Sequence, residues 1–230
     1  IRSPIYALNS LIGIFMFPAM IFIIPMFSSS DPDLKAISEA IVSIPPSMIF
    51  VVSLGVGLVV CLTNLAASTV MSREGEYFWL SKVIPVPYRI QAYGKLIFSW
   101  SIDAATILLC LILAPILFPG NFGNFVLAAI CALVGSVSLC AINMMIDIAR
   151  PKLKWSSEAE AMKQNLNGIL GMLATLVLGA GFVGLAVLFS LFTNAILTFI
   201  LTFVALFAAA IGTVALLGVL AESRYHALEP

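Results

Sequence analysis

No Asp, Glu, Lys or Arg occurs between Leu166 and Ala221. A bilayer crossing needs about 20 mostly apolar residues, so this stretch is far too long for one. Phe192-Thr193-Asn194 supplies a polar break in its middle, which predicts two spans joined by a tight turn. The rest of the chain has the same character, 62% hydrophobic and only 10% charged. A soluble domain carries about 25% charged residues. This chain cannot cover a surface that faces water, which excludes soluble globular and disordered classes. The spans must be helices, because irregular backbone facing lipid leaves its polar groups unsatisfied.

Taking charges as boundaries gives six spans: Ile5–Phe27, Ser47–Val70, Leu96–Phe118, Asn124–Ile146, Gly168–Leu191 and Ala195–Leu220. Pro119-Gly120-Asn121 reads as a tight turn between the third and fourth. The expected fold is all-α: a polytopic membrane protein, one transmembrane domain over 1–230, with six transmembrane helices in a bundle. Six crossings put Arg2, Arg73, Lys82, Arg89, Lys95, Arg150, Lys152, Lys154, Lys163 and Arg224 on one side. Only Lys35 falls on the other, in a loop with Asp31, Asp33 and Glu39. Cytoplasmic loops carry the excess of Lys and Arg, so both termini are expected in the cytoplasm of a multi-pass plasma-membrane protein. Net charge is zero, which gives no general attraction to nucleic acid.

Helices in lipid meet through small residues and polar groups. Gly171, Thr175 and Gly179 form a small-residue row at four-residue spacing, as do Ala208 and Gly212, and both rows read as packing seams. Pro18 and Pro115 should kink their spans. Cys61, Cys110, Cys131 and Cys140 all lie in apolar runs and read as small buried hydrophobes. The single histidine, His226, excludes a His cluster, and no metal-ligand spacing is present.

Asp103 is the one ionisable residue inside an expected span. It lies eight positions after Lys95, about 12 Å along a helix from the boundary. Asn64 and Asn143 fall within about two turns of the same depth on neighbouring spans. The three predict a polar layer in which one or both amides bond Asp103. Such a layer serves either as interhelical glue or as an inward-facing vestibule or gate.

Residues 71–95 hold a short amphipathic helix. Tyr77, Leu80 and Ile84 share a helical face, Glu76 and Lys82 lie elsewhere around it, and Pro85 and Pro87 end it. It reads as an interfacial anchor or as a docking element for a cytoplasmic subunit. In 147–167, Ser157 with Glu160 forms a capping box, predicting a helix that runs on through Lys163, Gln164 and Asn165 into the fifth span. The basic residues there suit anionic lipid.

Gly94-Lys95 lacks the glycine spacing of a Walker-type phosphate loop, and the non-membrane remainder is too fragmented for a nucleotide-binding domain. No His/Asp, paired-Asp or Ser/His set lies within the spans, which argues against an intramembrane enzyme. Ser72-Arg73-Glu74-Gly75, Phe78-Trp79, Lys82, Pro85, Gln91 and Lys95 resemble a cytoplasmic loop of permease subunits of bacterial ATP-binding cassette (ABC) exporters. Asp147, Arg150-Pro151, Leu153, Trp155, Glu158, Ala161 and Lys163-Gln164-Asn165 resemble a later loop of the same family. The resemblance implies the C-terminal six-span half of a longer permease, which the start at Ile1 also suggests. It implies that the 71–95 helix is a coupling helix, with Arg73, Glu74, Phe78, Trp79 and Lys82 touching a separate cytoplasmic ATPase subunit. ATP and Mg would be bound by that partner, with no cofactor in this chain, and a second permease half or copy would complete the transporter. The alternative is an ion-coupled secondary transporter with Asp103 as the proton or sodium site, a class that normally shows several intramembrane acids and a repeat.

Overall fold

The computed structural model describes residues 12–16, 18–20, 23, 46–117, 121–157, 160–161 and 164–225. Of the expected first span, 12–16 and 18–20 are helical. The acidic loop with Lys35, the turn residues Pro119 and Gly120, and Arg2, Glu158, Lys163 and His226 lie outside the described residues.

Among the described residues the secondary structure is entirely helical. α1 is Pro46–Val59, followed by a 3₁₀ turn Val60–Thr63 and the one-turn α2, Leu65–Ser68. A 3₁₀ segment Ser72–Tyr77 leads into α3, Phe78–Val83. Four long helices follow: α4 (Tyr88–Leu117), α5 (Phe122–Ala149), α6 (Leu166–Phe192) and α7 (Ala195–Arg224). All four are long and apolar enough to cross a membrane. The fold fits a helical membrane protein.

Local chemistry sets the ends of these helices. Ile84 is extended after α3, and Pro85 and Pro87 follow it. The Pro87 carbonyl then accepts from Ile90 and Gln91 N–H as α4 begins. α5 stops at Arg150, held out of the helical region by Pro151 behind it. Asn165 caps α6 through Asn167 N–H, and Asn194 caps α7 through Leu197 N–H. The break at Thr193-Asn194 falls where the uncharged stretch was expected to turn.

Two expected elements differ. Ser47–Val70 is not one continuous helix. Asn64 leaves the helical region at φ −79°, ψ 78°, its side-chain oxygen accepts from Ala66 N–H, and its amide donates to the Ser99 carbonyl at 2.8 Å. The bond from Ala66 N–H replaces one rung of the helical ladder there, and the Ser99 bond ties Asn64 to α4. Nor does a helix run from Ser157 into the fifth span, because Asn165 is extended (φ −103°, ψ 122°) and starts α6 afresh. Glu160 N–H does donate to Ser157 Oγ at 3.3 Å, but the Glu160 carboxylate returns to Ser156 N–H and Oγ, both at 2.9 Å. That is a capping box displaced by one residue. Lys152 pairs with the same carboxylate and, with these bonds, pulls its pKa down to about 2.

α5 is the hub, packed against α1, α4, α6 and α7. Leu54, Leu58, Ile107, Ala132, Leu139 and Leu206 fill one core around it. Met71, Phe78, Met144, Ile148, Leu217 and Tyr225 fill a second at the end where α4 begins. Within the apolar windows of the helices, 61% of α5 is buried, against 17% of α6 and 22% of α7. The outer faces of α6 and α7 therefore present Ile169, Leu173, Val177, Ile200, Val204 and Ile211 outward, a surface suited to lipid.

The Gly171–Thr175–Gly179 row is buried as expected. A Cβ on Gly171 would lie 2.6 Å from Ser68 Cβ, so the missing side chain is what lets α6 approach α2. The Ala208–Gly212 row is not a seam in this chain. Both residues face outward, and α7 buries Thr198, Thr202, Leu206 and Ala210 instead. All four cysteines are free thiols, three of them buried and Cys110 partly so.

Candidate functional site

Residues 71–95, 150–155 and the C-terminal end of α7 meet at one end of the bundle. Eight of the expected same-side cations, Arg73, Lys82, Arg89, Lys95, Arg150, Lys152, Lys154 and Arg224, belong to these three segments.

Asp147, in the last turn of α5, lies at the centre of this end. It is fully buried, and its carboxylate accepts from Met71 N–H at 2.6 Å, Ser72 N–H at 3.0 Å, the Ser72 hydroxyl and the Asn167 amide at 2.8 Å. Asn167 also donates to the Arg150 carbonyl at 2.7 Å, closing α5 onto the first turn of α6. Ser72 is used at both ends: its Oγ accepts from Lys152 N–H, and its carbonyl accepts from the Trp155 indole at 2.8 Å. A buried carboxylate with four donors is satisfied without a cationic partner.

Gly75 completes the contact. Its φ of +51° with ψ of −128° is a conformation for glycine, and a Cβ there would sit 2.7 Å from the Trp155 ring. The chain must turn sharply and lie flat against an indole at the same residue.

The expected contact residues divide by direction. Glu74 pairs with Lys95 and accepts from Ser81 Oγ at 2.9 Å. Arg73 donates to the Ala66 carbonyl at 2.8 Å and to the Thr69 carbonyl. Phe78 is fully buried, its ring 5.6 Å from that of Tyr225. Lys82 lies over the Phe78 ring at 5.9 Å and is half-buried. Trp79 alone of the five is exposed, at 51%. Tyr77, Leu80, Val83 and Ile84 are exposed with it, while Phe78 and Ser81 point inward. The shared face read from Tyr77, Leu80 and Ile84 is therefore an outward one.

Tyr225 plugs this end. It is buried between Phe78 and Tyr88, with Lys95 donating to its hydroxyl at 3.4 Å, and burial is the main reason its pKa is raised. Gln91 ties the α4 start to the elbow (72–87) by donating to the Ser81 and Val86 carbonyls.

No known protein family, curated protein or solved structure matches this chain.

The polar residues expected within the spans form two groups. Asp103 is buried and accepts from the Cys140 thiol at 3.0 Å, with Asn64 and Cys61 also against its carboxyl. Asn64 joins that group from the break after α1. Asn143 does not: its amide donates to Thr175 on α6 at 3.0 Å, and its oxygen is buried without a partner beside Gly171. The layer is thus a cluster around Asp103 of α4 that draws on the turn after α1 and on α5, and a separate α5–α6 bond. Nothing in the sequence marked Cys140 as a partner, because a thiol in an apolar run reads as a hydrophobe.

Proposed function

We propose that this chain is the membrane-spanning half of an ABC exporter permease, with residues 72–87 as the element that meets a separate cytoplasmic ATPase. The observation that carries the reading is the interlock of the two loop stretches that resemble that family. Ser72, Gly75, Asp147 and Trp155 come from both stretches and bond or pack against one another. A motif pair scattered over the chain becomes one built structure, from which Trp79, Val83 and Ile84 project. An exposed aromatic and aliphatic ridge on a rigid base is the form a docking element takes.

In this reading the six-span topology holds, with Ile5–Phe27 and the broken Ser47–Val70 segment as the first two crossings and the elbow on the cytoplasmic side. ATP and Mg are held by the partner, whose cycle of closing and opening pushes on the elbow and shifts the helices between inward- and outward-facing arrangements. This chain supplies no ATPase chemistry of its own.

The test is isolation of the full chain in mild detergent together with its associated subunits. A partner with a Walker phosphate loop is expected. Trp79→Ala with Val83→Asp, both exposed, should abolish stimulation of its ATP hydrolysis while the chain still inserts. Unchanged stimulation in that variant, or labelling of a Trp79→Cys chain from outside intact cells, would refute the reading.

A further inference from the structure

The elbow leaves the helix before it through non-helical backbone at Asn64 and Thr69, and joins α4 through the bent Ile84–Pro87 stretch, where Val86 N–H donates to the Ile84 carbonyl. It is connected to its sequence neighbours by bends. Arg73 bonds it to Ala66 and Thr69, and Gln91 and Lys95 bond it to α4, but its most buried side-chain bonds converge on Asp147. That carboxylate holds the elbow by two backbone N–H groups and one hydroxyl, and holds α6 by the Asn167 amide.

We infer that Asp147 is the positioning residue that makes the elbow, the end of α5 and the start of α6 a single moving piece. Force applied at Trp79 reaches the end of α5 and the start of α6 through this carboxylate. The inference rests on the permease reading only for the origin of the force; the fastening itself belongs to the chain alone. Four donors drawn from two segments distant in sequence give a bond set that opens cooperatively, since losing the acceptor strands a hydroxyl, an amide and two backbone groups together. Trp155 adds a second link between the same segments through the Ser72 carbonyl.

Hydrogen exchange on the full chain in lipid nanodiscs tests this. Asp147→Asn keeps the shape but gives up one charged acceptor oxygen, and hydrogen bonds to charged groups carry enough energy for about a tenfold change in opening. Exchange should quicken by about that factor at Met71 and Ser72 and, in step, at 150–155, while the α7 helix is unmoved. Trp155→Phe keeps an aromatic ring in place and removes only the N–H; it should quicken exchange across 71–77, on the opposite side of the joint. A response confined to the mutated segment, or spread evenly over all helices, would overturn the inference. With the partner ATPase present, Asp147→Asn should leave it bound but lower transport per ATP hydrolysed. If no ATPase associates with the wild-type chain yet both loops loosen together, the permease reading fails and the fastening stands.

Discussion

Gly75→Ala isolates two costs that coincide at one residue. A non-glycine residue at φ +51°, ψ −128° carries strain of about 1–3 kcal/mol. The new methyl would also meet Trp155 Cζ2 at 2.7 Å, with the indole held by its bond to the Ser72 carbonyl, which adds about 1–3 kcal/mol of overpacking. The total is about 2–6 kcal/mol, enough to threaten the folding of the elbow end. Trp155→Ala removes the obstacle without changing the backbone angle. In a double-mutant cycle the steric share should vanish and the backbone share remain, so the two changes together should cost about 1–3 kcal/mol less than their sum. Thermal unfolding of the purified chain, followed by loss of the monodisperse peak after heating, gives the four values. Strict additivity would mean that the indole does not lie against Gly75, and the description of the joint would be wrong.

Gly171→Ala should destabilise by about 1–3 kcal/mol through its contacts with Ser68 and Asn143, whereas Gly181→Ala and Gly212→Ala, with open space around them, should be neutral or stabilising by up to about 1 kcal/mol in the same assay. If the permease reading is right, Asp103→Asn should keep ATP-driven transport, because its partners are a thiol and an amide within the bundle; loss of transport together with loss of its pH dependence would favour ion coupling instead. Glu160 has a folded pKa lowered from 4.5 to about 2, so its pairing with Lys152 stabilises fully above the unfolded value and is lost as pH falls toward 2. Glu160→Gln should therefore reduce the steepness of acid unfolding below pH 4.5 and leave the pH dependence between 6 and 8 unchanged.

The long helices were legible because hydropathy reports directly on what lipid admits. Their ends were less so. Expected boundaries were placed at charges, yet α4 begins at Tyr88, ahead of Arg89 and Lys95, because Pro87 starts the helix and Glu74 pairs with Lys95 beside it. The break at Asn64 carries the same Thr-Asn pair as the turn at Thr193-Asn194, but no charge lies within 47–70, so boundaries placed at charges pass over it, and the bonds of Asn64 to Ser99 and Ala66 hold the break. Asp103 announced itself as a charge in a span. Asp147 did not, since an acid near a helix end reads as a boundary residue. Its flanking Ile146 and Ile148 were the available clue, for a charge between two large apolar residues faces either lipid or a prepared set of donors. The Ala208–Gly212 row shows the converse limit, because spacing identifies small residues but not which side of the helix meets a neighbour.

The interruption at Asn64 also constrains the order of assembly. The buried Asn64 amide needs acceptors, and here they are the Ser99 carbonyl and the Cys140 sulfur, both later in the chain. The segment around Asn64 therefore cannot settle when it first leaves the ribosome. It must wait until α4 and α5 arrive beside it, so this segment acquires its final form only after residues further along the chain are in place.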